Sequence, residues 1–135
     1  MKPDSNPTPI KSFRDLFVYQ NSYEAMLIVM KEIIPALPAC EKDDLKDQLS
    51  RSSKAIPRLI AEGYAKRQQK AGFQKYLDDA MAESNETIVS LEQSKDIYDI
   101  NPDLINELIA TYDKTGRQLF KLAEAWTNFK KAKQY

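Results

Sequence analysis

Apolar residues recur at steps of three and four along most of the chain, the spacing that places side chains on one face of an α-helix. Prolines and glycines, which interrupt regular structure, divide this pattern into four stretches. No stretch alternates apolar and polar residues with the period of two that a strand shows. The pattern predicts an all-α protein with four helices of roughly 22–30 residues each.

Start and stop signals give the expected helix bounds. The first helix is predicted to start after Ser12, which can form a capping box with Asp15, and to end before Pro35. The second is expected from near Glu41, with Pro57 inside it. The expected apolar stripe of the first helix is Leu16, Tyr19, Tyr23, Met26, Leu27, Met30, Ile33 and Ile34.

The third helix is predicted from about Gly72 to Tyr98, with Ile97 on its apolar stripe. Residues 101–103, Asn-Pro-Asp, are a strong start signal for the fourth, whose stripe extends to Phe129. Short connections favour antiparallel neighbours, so we expect an up-down four-helix bundle over residues 12–131. A disordered arm (1–11) and a short tail (132–135) are expected outside it.

Composition narrows the chemistry. The chain of 135 residues has no histidine, which removes the commonest general base and metal ligand. The single Cys40 cannot form an internal disulfide and suits a reducing cytoplasm. No apolar run reaches the ~18 residues of a membrane span. We therefore expect a protein that is not an enzyme, has no cofactor and has no membrane partner.

A cluster of acidic residues on the third helix suggests an alternative, a metal-dependent enzyme. Asp79, Glu83 and Glu86 share a helical face and could hold a metal, but a solvated face is the commoner meaning of that spacing. The expectation is that no metal site exists.

Charge is balanced in total and segmented in detail. The 20 basic and 20 acidic residues give net charges of −2 over residues 1–50, +6 over 51–76, −9 over 77–113 and +5 over 114–135. The C-terminal lysines Lys130, Lys131 and Lys133 could add to a basic surface or could complement the dipole at the end of the fourth helix. The basic segments favour an anionic partner such as nucleic acid, with phosphate contacts from six residues. The six are Arg51, Lys54, Arg58, Lys66, Arg67 and Lys70. The alternative is a solvated face that pairs with the acidic helix.

The segment from Arg51 to Tyr64 places a proline and a glycine inside one predicted helix, against local propensity. Close packing of a neighbouring helix at Ala61 and Gly63 explains the glycine, and a bend at Pro57 fits a bundle. A ligand site is the alternative. Both interpretations remain open at this stage.

These residues also resemble a known family. The chain is similar to the four-helix bundle proteins encoded by intervening sequences in bacterial 23S ribosomal RNA genes. The resemblance covers roughly residues 12–131 and is most specific in the run Ile56-Pro57-x-x-Ile60-Ala61-Glu62-Gly63. Ala55 and Leu59 stand where the family usually has serine and asparagine, which argues against an inherited small-molecule site.

The resemblance implies a ring-shaped homo-pentamer of antiparallel bundles without catalysis. The family is similar to the accessory variability determinant (Avd) of diversity-generating retroelements, which binds nucleic acid and partners a reverse transcriptase. We therefore expect a homo-oligomeric scaffold for RNA or DNA, for a nucleic-acid enzyme, or for both. The alternative is a protein-interaction module with no nucleic-acid role.

Overall fold

A computed structural model describes the backbone of residues 9–133 and the side chains of residues 9–131. Most of the predicted arm and the last two residues of the predicted tail lie outside the described residues. Residues 9–133 contain four α-helices and no strand, which confirms the all-α prediction. The helices are α1 Phe17–Ile28, α2 Leu45–Ala65, α3 Gly72–Tyr98 and α4 Pro102–Lys133.

Each helix packs against two others around a shared apolar core. Helix α1 contacts α2 and α4, and α3 contacts the same two helices. Helices α1 and α3 are therefore diagonal, and the outer face formed by α1 and α2 lies opposite the face formed by α3 and α4. The largest fully buried apolar side chains of the core are Ile33, Leu49, Ile56, Ile60, Leu77, Leu91, Ile105, Tyr112 and Leu119.

The predicted capping box is present, but it does not begin α1. The Ser12 hydroxyl accepts from the Arg14 N–H and the Asp15 carboxylate accepts from the Ser12 N–H, and together they cap a 3-10 turn, Phe13–Asp15. Leu16 then adopts an extended backbone, so α1 starts at Phe17. The turn places the Phe13 ring edge-on against Tyr19, with centroids 4.9 Å apart.

The predicted apolar stripe of α1 is right only in part: Ile33 is fully buried, and Leu16, Tyr19 and Ile34 are partly buried against the core. Tyr23 is 43% exposed. The buried side chains of this segment are Val18, Ser22, Ala25, Val29 and Ile33. Apolar residues occur on nearly every side of α1, so their spacing does not single out the inner face. The small residues face inward because they allow α1 to approach its neighbours closely, and the aromatic residues lie at the edges. The helix ends through a π-helical turn, Val29–Ile33, and a 3-10 turn, Ile34–Ala36.

Helix α2 begins at Leu45, later than the predicted start near Glu41. Residues Ala39–Glu41 form a 3-10 turn, and the Glu41 carboxylate accepts from the Leu45 N–H at 3.4 Å. The same carboxylate accepts a hydrogen bond from the Tyr98 hydroxyl at the end of α3. Glu41 thus ties the α2 start to α3, and its side chain satisfies a helix-end donor.

The bounds of α3 agree with the prediction. Two residues that were predicted to lie in the core, Ile97 on α3 and Phe129 on α4, are instead exposed. Ile97 is 63% exposed and Phe129 is 48% exposed. Much of the inner face of α3 consists of small, buried polar side chains, namely Ser84, Thr87, Ser90 and Ser94, and α2 also buries Ser52 and Ser53. Because these residues are polar, an apolar stripe cannot include them.

Candidate nucleic-acid interface

The structure places the six predicted phosphate-contacting residues in two regions. Arg51, Lys54 and Arg58 lie three and four residues apart on α2, and we call them the helix-face cations. The other three, the end cations, follow at the end of α2 and in its connection to α3: Lys66, Arg67 and Lys70. From Arg51 to Lys66 the distance along the helix is about 22 Å at 1.5 Å per residue.

Two end cations are held against tyrosine rings. The Lys66 ammonium donates to the Tyr76 hydroxyl at 2.6 Å and lies 4.9 Å from the centre of that aromatic ring. This hydrogen bond raises the pKa of Lys66, so its charge is retained well above neutral pH. The Arg67 guanidinium lies 4.0 Å from the centre of the Tyr64 ring and donates to the Tyr64 carbonyl at 2.7 Å. Both cations are therefore positioned beside aromatic faces.

Helix α4 completes this end of the molecule. The Trp126 indole N–H donates to the Arg67 carbonyl at 3.0 Å, and the Lys130 ammonium donates to the Gln69 carbonyl at 3.2 Å. The Trp126 ring meets Phe73 edge-on and stacks on Phe129, with centroids 5.8 and 5.4 Å apart. Lys130 therefore lies beside the connection between α2 and α3, close to the end cations.

We call this region the basic aromatic end. It combines five cations with five aromatic rings from three separate parts of the chain. Its members are Lys66, Arg67, Lys70, Lys75 and Lys130, with Tyr64, Phe73, Tyr76, Trp126 and Phe129. The sequence analysis missed Trp126 as an anchor because its helical spacing assigned it to the core stripe.

The helix-face cations have a different environment. Arg51 is mostly exposed and pairs with Asp47 at 3.0 Å. Lys54 and Arg58 border an open groove of about 390 Å³ between α1 and α2. Its remaining lining is apolar and aromatic: Phe13, Tyr19, Tyr23, Met26, Pro57 and Ala61.

The motif around Pro57 is mainly a packing feature. Helix α2 continues through Pro57, and the buried residues of the motif are Ile56, Pro57, Ile60 and Gly63. A Cβ on Gly63 would lie 2.8 Å from the Tyr76 Cβ and 3.2 Å from the Phe73 ring. The predicted close approach at Gly63 is therefore confirmed. Ala61 is only partly buried and Glu62 is exposed.

The acidic face of α3 shows one perturbed carboxyl. Partial burial raises the pKa of Glu83, and the neighbouring charge and hydrogen bond of Glu86 raise it further, with a smaller effect from Asp79. Among the side chains of residues 9–131, no three acidic or thiol groups are arranged to hold a metal ion. The arrangement is that of adjacent carboxylates that repel one another.

Fold and site together define an all-helical four-helix protein with a basic aromatic end. Residues 14–121 match the sequence model of the 23S rRNA-intervening sequence protein family, and the chain belongs to that family. Neither the curated proteins nor the solved structures include a significant match to this chain. No helix in the described part of the chain is both long and apolar enough to cross a membrane.

Proposed function

We propose that this protein is a non-enzymatic, homo-oligomeric scaffold that binds nucleic acid through its basic aromatic end. Its subunits are antiparallel bundles in a ring-shaped assembly, with five copies by the family resemblance. The observation that supports the binding surface is the convergence of cations and aromatic rings from α2, α3 and α4. Trp126 and Lys130 reach carbonyls 59 and 61 residues away in sequence to form it.

The chemistry of this end suits a flexible polyanion. Lys70 and Lys75 are exposed and can contact phosphates, while Tyr64 and Tyr76 are partly accessible beside their cations. Phosphate contacts supply most of the affinity, and bases stack on aromatic faces with little sequence preference. A ring-shaped assembly would repeat the surface in every subunit and raise the overall affinity through multivalency. We therefore propose single-stranded RNA or DNA as the ligand.

A nucleic-acid enzyme is a compatible partner of the same scaffold. In this proposal the protein holds the strand, and a bound enzyme such as a reverse transcriptase performs the chemistry. The strand would occupy the basic aromatic end and leave the long helix faces available for protein contacts. Co-purification of a reverse transcriptase that survives nuclease treatment would support direct protein contact.

The test compares two triple variants with equal charge change. One carries Lys70→Glu, Lys75→Glu and Lys130→Glu at the end; the control carries Lys31→Glu, Lys42→Glu and Lys46→Glu, which lie outside the basic aromatic end and the α1–α2 groove. Fluorescence anisotropy with labelled single-stranded RNA and DNA is measured from about 50 to 200 mM salt. We expect the end variant to lose at least tenfold in affinity and about 2 units of salt slope, as three lost phosphate contacts predict. The control should keep most of the binding.

Equal losses in both variants would show that only net charge matters and would remove the proposed surface. Unchanged binding in the end variant would do the same. A wild-type protein that binds neither nucleic acid at low salt would instead favour a protein-interaction module, the second candidate. The position of Lys54 and Arg58 beside an apolar groove is the observation that supports this second function.

A further inference from the structure

A second apolar groove lies between α3 and α4, on the face opposite the α1–α2 groove. Its volume is about 460 Å³, and Met81, Gly116 and Phe120 form its apolar part. Phe120 is 58% exposed although it is a large aromatic residue. An adjoining groove of about 250 Å³ continues along the same face past Phe120. The two outer faces of the molecule therefore each carry an apolar depression.

Gly116 is an unusual component of this second groove. It lies inside the 32-residue helix α4, where glycine is among the least favourable residues. A Cβ built at Gly116 would meet no heavy atom within 4 Å, in contrast to Gly63. Packing within the chain thus gives no reason for glycine at this position. A notch one turn before Phe120 does allow the backbone of another molecule to approach α4 closely.

The charges beside the two grooves are complementary. Lys54 and Arg58 border the α1–α2 groove, and Asp78 and Glu124 lie with Phe120 in the adjoining α3–α4 groove. The ion pairs among the described side chains are Arg51–Asp47 and Arg117–Asp113, so these four groups form no ion pair with any described side chain. Lys121 also borders the α3–α4 groove and adds one positive charge there. Opposite charges flank apolar surface on opposite faces of one molecule.

We propose that the α3–α4 face of one copy docks on the α1–α2 face of the next copy. Phe120 packs against the aromatic groove that contains Tyr23, and the flanking charges fix the register. Because the two surfaces differ, the contact is head-to-tail, the type that generates rings when the rotation closes. This inference rests on the proposed ring-shaped assembly and names its surfaces.

The test uses one disruptive substitution on each face. Phe120→Glu alters the α3–α4 face, and Tyr23→Glu alters the α1–α2 face, where Tyr23 is 43% exposed. Ile97→Glu is the matched control, since Ile97 is equally prominent but lines neither groove. Light scattering gives the mass of each variant. We expect both face variants to be monomers of 15.5 kDa and the control to keep the wild-type mass.

Mixing the two face variants is the decisive step. Each variant retains one intact face, so a head-to-tail contact predicts a species of twice the monomer mass in the mixture. Face variants that keep the wild-type mass, or monomers that fail to pair when mixed, would overturn the proposal. If Phe120→Glu loses the helical signal in circular dichroism, Gly116→Gln replaces it as the variant of the α3–α4 face. Glutamine is a good helix former and fills the open notch, so this variant should fold and should also be monomeric.

The controls separate this inference from the proposed function. A wild-type protein that is itself monomeric at micromolar concentration would contradict both the ring-shaped assembly and its proposed surfaces. An oligomeric wild type whose mass is unaffected by Phe120→Glu, Tyr23→Glu and Gly116→Gln would contradict the surfaces alone.

Discussion

Two glycines lie inside long helices of this protein, and their surroundings differ completely. At Gly63 the α2 backbone meets α3 so closely that an added Cβ would lie 2.8 Å from the Tyr76 Cβ. At Gly116 the same addition meets nothing within 4 Å, beside the exposed Phe120. The first glycine serves the fold of the chain. The second has no such role within the chain, and its open notch is available to another molecule.

The contact between α2 and α3 shows what close approach allows. The Thr87 hydroxyl donates to the Ser52 hydroxyl at 2.8 Å, with both side chains buried. The Ser84 hydroxyl donates to the Tyr112 carbonyl of α4 at 2.8 Å, and Ser53 donates to the carbonyl of Leu49 at 2.6 Å. These four buried hydroxyls each take part in a hydrogen bond, which offsets the cost of removing them from water.

The largest expected effect comes from filling the α2–α3 contact. Gly63→Val should lower the free energy of unfolding by about 2–3 kcal/mol, because the new side chain overlaps Tyr76 and Phe73 and the helices must separate. Urea denaturation followed by circular dichroism measures this. Gly116→Val is the matched control. Both substitutions are compared in a Phe120→Glu background, where self-association is expected to be absent, and Gly116→Val should change stability there by less than about 0.5 kcal/mol. Equal losses of stability in the two variants would contradict the conclusion that Gly63 is enclosed and Gly116 is open.

A smaller effect of opposite sign is expected at the open groove. Gly116→Ala should stabilise an isolated chain by about 0.8–1 kcal/mol, since alanine is the better helix former and its Cβ meets nothing. The measurement is made in a Phe120→Glu background, where self-association is expected to be absent. A loss of stability in that monomer would reveal an internal role for Gly116 and would weaken the case for an external partner.

The smallest effect concerns Glu83, at the edge of the α2–α3 contact. Its pKa is raised above the ordinary 4.5 by partial burial and by Glu86, so the folded state holds the proton more tightly than the unfolded state. The stability that Glu83 contributes is thus present below pH 4.5 and is lost as the pH rises through the folded pKa. Glu83→Gln should stabilise the protein by about 0.2–0.5 kcal/mol at pH 7.

Thermal unfolding at pH 4 and pH 7 measures this difference. At pH 4 the Glu83→Gln variant and the wild type should have nearly equal stability. Glu92→Gln, which removes an exposed carboxylate from the same helix, is the control. A gain for Glu83→Gln that is the same at both pH values would contradict the assignment to carboxylate repulsion.

Local signals in the sequence predicted much of the secondary structure. The bounds of α3 follow from its periodicity, and the capping box at Ser12 forms as expected. The inner face of α1 could not be predicted in this way, because bulky apolar residues surround that helix and the inward positions are small, such as Ser22 and Ala25. Burial of hydroxyls at Ser52 and Thr87 was also beyond prediction, since each is satisfied by a distant partner.

The candidate site also has features that could be predicted from the sequence and features that could not. The sequence was enough to propose all six cations and to allow a contribution from Lys130, because charge is a property of single residues. It gave no reason to separate Lys54 and Arg58 from Lys66 and Arg67. That separation depends on which aromatic rings lie beside each cation. Lys54 and Arg58 share a groove with Tyr23 of α1, whereas Lys66 meets Tyr76, ten residues further along the chain, at the start of α3.

The sequence by itself determined four helices, their segmented charge and the absence of histidine chemistry, because periodicity, composition and capping are local properties. The tertiary structure alone decided which glycine is enclosed, which hydroxyls are buried and which cations meet aromatic rings. These outcomes depend on the rotation and separation of the packed helices. A difference of a few ångströms in helix separation decides whether a glycine allows two helices of the chain to pack closely or leaves an open groove on the surface.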